Sequence, residues 1–226
     1  GAQILGSVVR RIDDYLLNTN VQHGASYAVS RTAGERVAEA TAWMADFVNA
    51  AHPSEIVMGS STTLLLRILS LCLAETWERG DEVVVTDCDH EANIGPWMDL
   101  GRRGIVVKTW RLDPESWDLR LADLERLFTP RTRLVALTHA SNVLGRINPI
   151  AEVARLVHAH GALLCVDGVA CAPHRAVDVQ ALGADFYAFS FYKTFGPHYA
   201  LLYGKHAHLR RLPGINHFFI GPEAVP

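Results

Sequence analysis

The sequence has little with which to staple or charge itself into shape. It holds four cysteines, Cys72, Cys88, Cys165 and Cys171, without CxxC spacing or disulfide-rich density. A reduced, cytoplasmic compartment is expected. His158 and His160, like His206 and His208, stand two apart and do not share a helix face, so no metal site is expected. Charge of one sign is also missing: Lys and Arg number 21 against 24 Asp and Glu, a net charge of −3. That balance leaves no electrostatic footprint for nucleic acid or an anionic membrane. No apolar run approaches the roughly 20 residues of a membrane span, and no charged-then-apolar leader opens the chain. No internal repeat or low-complexity linker occurs. No strand is followed by GxGxxG with an acidic residue about 20 positions on, which places a nicotinamide-binding domain last among the readings.

What is present is an ordinary globular balance, 49% apolar and 20% charged in 226 residues. At about 150 residues per domain this allows one large domain or two small ones. Apolar, β-branched runs at 82–86 (EVVVT), 105–109 (IVVKT), 134–138 (LVALT), 162–167 (ALLCVD), 186–190 (FYAFS) and 200–203 (ALLY) predict buried strands. Helical spacing predicts helices over 31–51, 63–77, 121–128 and 148–160, the last with Pro149 in its first turn and Gly161 at its stop. Alternation of the two predicts an α/β domain with a mostly parallel sheet. The last two strands are joined by a link too short for a helical crossover and are expected to be antiparallel. The chain opens on a helical segment and ends at 223–226 without a closing element, so it reads as part of a longer polypeptide.

Open sheets of this kind bind ligands beyond the carboxyl ends of their strands. Asp87, Asp89 and His90 follow the first predicted strand, and His139, Ser141 and Asn142 follow the third. Asp167 and Gly168 end the fourth; Ser190, Tyr192 and Lys193 end the fifth. The GSSTT turn at 59–63 opens a long helix, where free N–H groups and the helix dipole favour a phosphate. An amine, a carboxylate, a phosphate cup and a flat group to stack are what pyridoxal phosphate requires. Singly, these residues have plainer readings: Ser61, Thr62 and His90 as caps, Asp167 and Asn142 as turn residues. Lys193 differs from a solvated surface lysine in its setting, FYAFSFYKTFGPH, where burial would lower the amine's pKa. His174 stands close enough in sequence to Asp167 to approach the same pocket, without an assigned role.

The strings TDCDHEANIGPW, THASNVLGRINPI, LLCVDGVACAPHRAVDVQALGADFYAFSFYKTFGPHYALLYGK and LPGINHFFIG resemble the class V aminotransferase family, within it the cysteine desulfurase-like proteins. The resemblance implies the three-layer α/β/α large domain of fold-type I pyridoxal-phosphate enzymes, a mostly parallel sheet with one antiparallel strand, over residues 1–226. It implies that Lys193 is the Schiff-base lysine and proton shuttle, that Asp167 pairs with the pyridine nitrogen, and that His90 stacks on the ring. Asn142 then lies near the phenolic oxygen, Ser61, Thr62 and Ser190 hold the phosphate, and Gln22 and His23 line the substrate side. A homodimer and a small amino-acid substrate are implied as well, most simply cysteine desulfurised to alanine. The same start serves an epimerase, a decarboxylating enzyme that forms a C–C bond, or an aminotransferase; a non-catalytic scaffold is the rival from another class.

Three positions depart from the desulfurase pattern. Tyr192 replaces the histidine before the lysine, Ala170 replaces a glutamine three residues after the aspartate, and Gln22–His23 replaces His–Arg. A phenol still donates to a phosphate oxygen, so these changes touch substrate chemistry more than cofactor binding. The family's C-terminal small domain, with its substrate arginine and its loop cysteine, has no counterpart in the sequence.

Overall fold

The computed structural model describes residues 1–214; the LPGINHFFIG string beyond Gly214, with His217, and the 223–226 ending lie outside the described residues. Helices α1 (Gly6–Asn18) and α2 (Ala28–Val48) lead into strand β1 (Ile56–Gly59) and helix α3 (Thr62–Ala74). Then follow β2 (Glu82–Thr86), α4 (Glu91–Met98), β3 (Val106–Trp110), α5 (Leu121–Glu125), β4 (Thr132–Thr138) and α6 (Ile150–Ala159). The described part closes with β5 (Leu163–Asp167), α7 (Val179–Leu182), β6 (Phe186–Ser190), β7 (Ala200–Gly204) and α8 (His206–Leu209).

The seven strands form one sheet in the order β1-β7-β6-β5-β4-β2-β3. From β3 to β6 every pairing is parallel, and β7 runs antiparallel to both of its neighbours, β6 and β1. The short link between β6 and β7 forces this reversal, pairing Ser190 with Ala200. The chain steps from β2 outward to β3 and then back to the other side of β2 as β4, so the order reverses between β2 and β4. Such a reversal opens a crevice at the carboxyl ends of the strands.

Side-chain alternation along the strands splits the core into two layers. Val84, Leu164, Val166, Tyr187 and Phe189 pack on one face with Val48 of α2 and Val153 and Val157 of α6. Val83, Val85, Cys165, Phe186 and Ala188 pack on the other with Leu65, Leu66 and Leu69 of α3 and Trp97 of α4. These runs were apolar at nearly every position because both faces of the sheet are covered. The result is the expected three-layer α/β/α arrangement.

Several boundaries move. Strands β2 and β6 coincide with the sequence expectation, whereas β3 begins one residue later and α5 stops at Glu125 rather than 128. Helix α3 ends at Ala74, three residues short of the expected end, and α2 spans Ala28–Val48 instead of 31–51. Pro149 is the residue before α6 rather than inside it, and Gly161 closes that helix at φ 72°, a left-handed conformation suited to glycine. All four cysteines are free thiols. Among the described residues no helix is long and apolar enough to cross a membrane.

At the amino ends of the strands a buried carboxylate ties the sheet to both layers. Asp185, 2% exposed, accepts hydrogen bonds from Leu164 N–H at 2.8 Å, Lys205 Nζ at 2.6 Å, His158 Nε2 at 2.8 Å and His208 Nε2 at 3.1 Å. Burial pushes its pKa up, but the bonds from His208, Lys205, Leu164 and His158 outweigh that and hold it well below the usual carboxylate range. A depressed folded-state pKa stabilises the fold above the unfolded value, near pH 4, and the contribution is lost as pH falls further. We therefore expect Asp185→Ala to cost about 3 kcal/mol at pH 7 in urea unfolding. The gap between wild type and variant should hold down to about pH 4 and narrow as pH falls further.

Candidate active site

Each parallel strand of the sheet centre delivers polar groups at its carboxyl end, and these converge on one cavity of about 610 Å³. Ser61, Thr62, His90, Asn142, Asp167, Ser190, Tyr192 and Lys193 all line it. Gln22 and His23 do not; they sit exposed between α1 and α2, where the Gln22 carbonyl accepts from the Ser30 hydroxyl and His23 Nε2 lies 3.4 Å from the Tyr15 hydroxyl.

Asp167 ends β5 and is 3% exposed. Its Oδ1 accepts from Val169 N–H at 2.8 Å, so it also makes the turn bond that its sequence position allowed. Burial pushes its pKa up to about 6, against the pull of that N–H and of the nearby Lys193 ammonium. The following residue must be glycine for a packing reason: a Cβ at Gly168 would fall inside the Tyr187 ring. Tyr187 is wholly buried beneath this turn, and its hydroxyl meets His139 Nδ1 at 2.9 Å. The His139 backbone N–H donates to the Asp167 carbonyl at 2.8 Å. Burial, helped by the Arg175 charge, lowers the His139 pKa, which favours the neutral ring as acceptor.

Across the β2/β4 crevice, Asp89 performs a similar bracing task that its sequence position did not reveal. Its Oδ1 accepts from the Thr86 hydroxyl at 2.7 Å and Thr138 N–H at 2.9 Å, and its Oδ2 from the Asn93 amide at 2.6 Å. Burial raises this carboxyl too, to about 6. The bonds clamp the ends of β2 and β4 together and fix the start of α4. There His90 caps the helix, its Nδ1 accepting from Ala92 N–H at 3.1 Å. A neutral ring bonded this way carries its proton on Nε2.

Ser61 is the cap residue of α3, its hydroxyl accepting from Leu64 N–H at 3.1 Å. The plain reading of this turn as a cap is therefore correct, yet it leaves the first-turn N–H groups of Thr62 and Thr63 without acceptors among the described residues. Thr62 Oγ1 is buried and also has no hydrogen-bond partner among them. Buried hydroxyls are normally satisfied, and one placed with free N–H groups at a helix start suits an anion's oxygens.

Lys193 ends the one-turn helix Phe191–Lys193 that follows β6. That turn is pinned by Phe191 N–H to the Tyr199 carbonyl and by Thr194 and Gly196 N–H to the Phe191 carbonyl, each 2.8 Å. Phe195 just beyond adopts φ 63°, a left-handed conformation unusual for an aromatic residue. Tyr192 stacks on His198 with ring centroids 4.8 Å apart and 9° between planes, and Lys193 Nζ lies 5.8 Å from the Tyr192 centroid. His198 thus lines the cavity, though the sequence offered it only as one of many histidines. The signal for it was the short β6–β7 link, which has to fold back over the lysine.

The donor set fits pyridoxal phosphate. An amine and a buried acid wall one cavity, and a helix start with an unsatisfied hydroxyl offers a phosphate site. Among the described residues no cluster of three potential metal ligands occurs.

Comparison with known proteins extends these observations. The family model for aminotransferase class-V matches residues 1–221. The chain is 46% identical to the aminotransferase-like protein FGM3 of Gibberella zeae, over 97% of this chain and 56% of that protein. It is 45% identical to the cysteine desulfurase-like protein ustD of Aspergillus flavus, over 80% of this chain and 43% of that protein. The apo structure of a cysteine desulfurase from Thermococcus onnurineus NA1 superposes with a TM-score of 0.86 at 31% identity, covering 93% of this chain and 53% of that one. The chain thus spans about half the length of the curated relatives it matches.

The raised pKa of Asp167 makes a stability prediction with a definite sign. A carboxyl whose folded pKa lies above its unfolded value opposes folding once ionised, so the cost is absent below about pH 4 and complete above about pH 6. Without cofactor, Asp167→Asn should therefore be more stable than wild type at pH 8, by up to about 3 kcal/mol. At pH 4 the two should coincide; chemical denaturation at both pH values checks this.

Proposed function

The chain belongs to the class V aminotransferase family, and on that premise we propose that residues 1–226 are the cofactor-binding large domain of a pyridoxal-phosphate enzyme that cleaves the C–S bond of cysteine, leaving alanine. The observation that carries the reading is the meeting of Lys193, Asp167 and the start of α3 around one cavity. When bound, pyridoxal phosphate supplies an electron sink that weakens the bonds at the substrate Cα.

The residues would divide the work as follows. Lys193 Nζ holds the cofactor's aldehyde carbon and, once released, moves the proton at the substrate Cα. Asp167, a buried anion with the Lys193 ammonium nearby, keeps a proton at the ring nitrogen, an opposite charge that offsets more of the cost of its burial. Thr62, Ser61 and the first turn of α3 hold the phosphate, with Ser190 and the Tyr192 hydroxyl as further contacts. His90 presents a flat ring oriented by its cap bond, and Asn142 stands by the phenolic oxygen. Sulfur would pass to a nucleophile other than these four cysteines, for Cys72, Cys165 and Cys171 are buried, Cys88 is half-buried, and burial raises the thiol pKa of each.

Tyr192 and Ala170, which depart from the desulfurase pattern, both line the cavity. They favour as a second reading an epimerase, a decarboxylating C–C bond-forming enzyme or an aminotransferase with the same cofactor site. A homodimer in the cytoplasm completes the proposal. Support for the dimer comes from Leu16, Leu17, Trp43 and Phe47, apolar side chains of α1 and α2 left more than half exposed (51–75%).

In the full-length protein, Lys193→Ala should abolish the visible absorption band of the bound cofactor and all turnover. Wild type incubated with cysteine and excess dithiol should release alanine and sulfide in equal amounts, the dithiol reducing the zero-valent sulfur that the cleavage leaves and being itself oxidised to the disulfide. Carbon dioxide, pyruvate or racemised substrate in place of sulfide would replace the desulfurase reading with the second one. A band that survives Lys193→Ala would overturn the lysine assignment.

A further inference from the structure

A second cavity, of about 1220 Å³, adjoins the first and shares Ala140, Asn142, Val169, Ala170 and Lys193 with it. Its remaining wall includes His174 and Arg175. No acidic side chain lines it, so Lys193 and Arg175 make it electropositive in a chain whose net charge is −3. Arg175 is set on a tight turn: Cys171 N–H donates to the Gly168 carbonyl at 2.9 Å, and Arg175 N–H to the Cys171 carbonyl at 3.1 Å. Its backbone is thereby tied to the turn that carries Asp167.

Among the described residues nine arginines have a carboxylate within 4.0 Å, as Arg133 has Asp81 at 3.0 Å and Arg36 has Asp14 at 2.8 Å; others, such as Arg102 and Arg155, do not, and what sets Arg175 apart is its place in the cavity wall. The Arg175 guanidinium has none among the described residues. Its field reaches inward instead: it counters the burial that raises the Cys171 thiol, and adds to the burial that lowers His139. A guanidinium is a planar fork matched to a carboxylate, and an unpaired one beside a cavity free of acids attracts anions.

Resting on the reading that an amino acid is the substrate, we infer that this second cavity is an anion subsite in which Arg175 binds a carboxylate of that amino acid. Lys193 lines both cavities, so a substrate reacting beside its amine projects toward Arg175. The carboxylate is either the one on Cα or one carried by the side chain, and the two sources are separable.

The test titrates the full-length, cofactor-loaded protein with L-alanine, L-cysteine and L-aspartate, reading dissociation constants from the change in visible absorbance. Succinate is titrated calorimetrically into the cofactor-free protein. Arg175→Ala should weaken succinate binding at least tenfold, with Arg175→Lys between it and wild type. If only aspartate weakens among the amino acids, the subsite takes a side-chain carboxylate; if all three weaken together, it takes the one on Cα. Unchanged constants for succinate and every amino acid, with the absorption band intact, would overturn the subsite and leave the Lys193 reading standing. A protein without a Lys193-dependent band would fail the underlying reading instead.

Discussion

The site depends on a carboxylate that is almost wholly buried. Asp167 stands at the end of a strand that is buried on both faces, with one backbone N–H for company and an amine nearby. Ionised there, it is costly to the bare protein and correspondingly eager for a positive partner. Much of the surrounding structure holds that acid in position. Tyr187 fills the space beneath Gly168, His139 bridges from Tyr187 back to the Asp167 carbonyl, and β4 and β6 flank the strand in parallel register.

The sheet order explains why the other groups arrive at the same place. Reversal between β2 and β4 parts the loops that leave their carboxyl ends, and Asp89 keeps the two ends from splaying by accepting from both. On the other side, the reversal of direction at β7 requires an abrupt turn after β6. That turn carries Lys193, and it folds His198 and Tyr192 together above the cavity. The helix start at Ser61 closes the remaining side, so five separate stretches of chain supply one pocket.

Much of this was legible in the sequence because burial on two faces leaves an unambiguous pattern. Strands such as EVVVT and FYAFS show no amphipathic helical spacing, and a nine-residue link is too short for a helical crossover. Strand β1 escaped notice: IVMG is four residues long, sits at the sheet edge and pairs only with β7. Its existence is decided by a partner about 140 residues later, which no local pattern encodes. Helix ends were overrun where helical spacing continues past the last hydrogen-bonded turn, as after Ala74. Among the site residues, those at strand ends were found together because topology alone gathers them. Gln22 and His23 were carried only by resemblance; they lie on the connection between α1 and α2 and do not line the cavity. Asp89, His198 and Arg175 stood in view without a role, since clamping, stacking and lack of a partner are properties of three-dimensional neighbours.

The Asp185 network lies at the opposite end of the same strands from the chemistry. It grips Leu164 at the start of β5, whereas Asp167 ends that strand three residues later, about 10 Å away along the chain. Between them in β5 lie Cys165 and Val166, both fully buried. Energetic effects at sites so separated tend to sum rather than interact. One end of the sheet works as a foundation and the other as a workbench: the tools on the bench can be exchanged while the footing stays untouched.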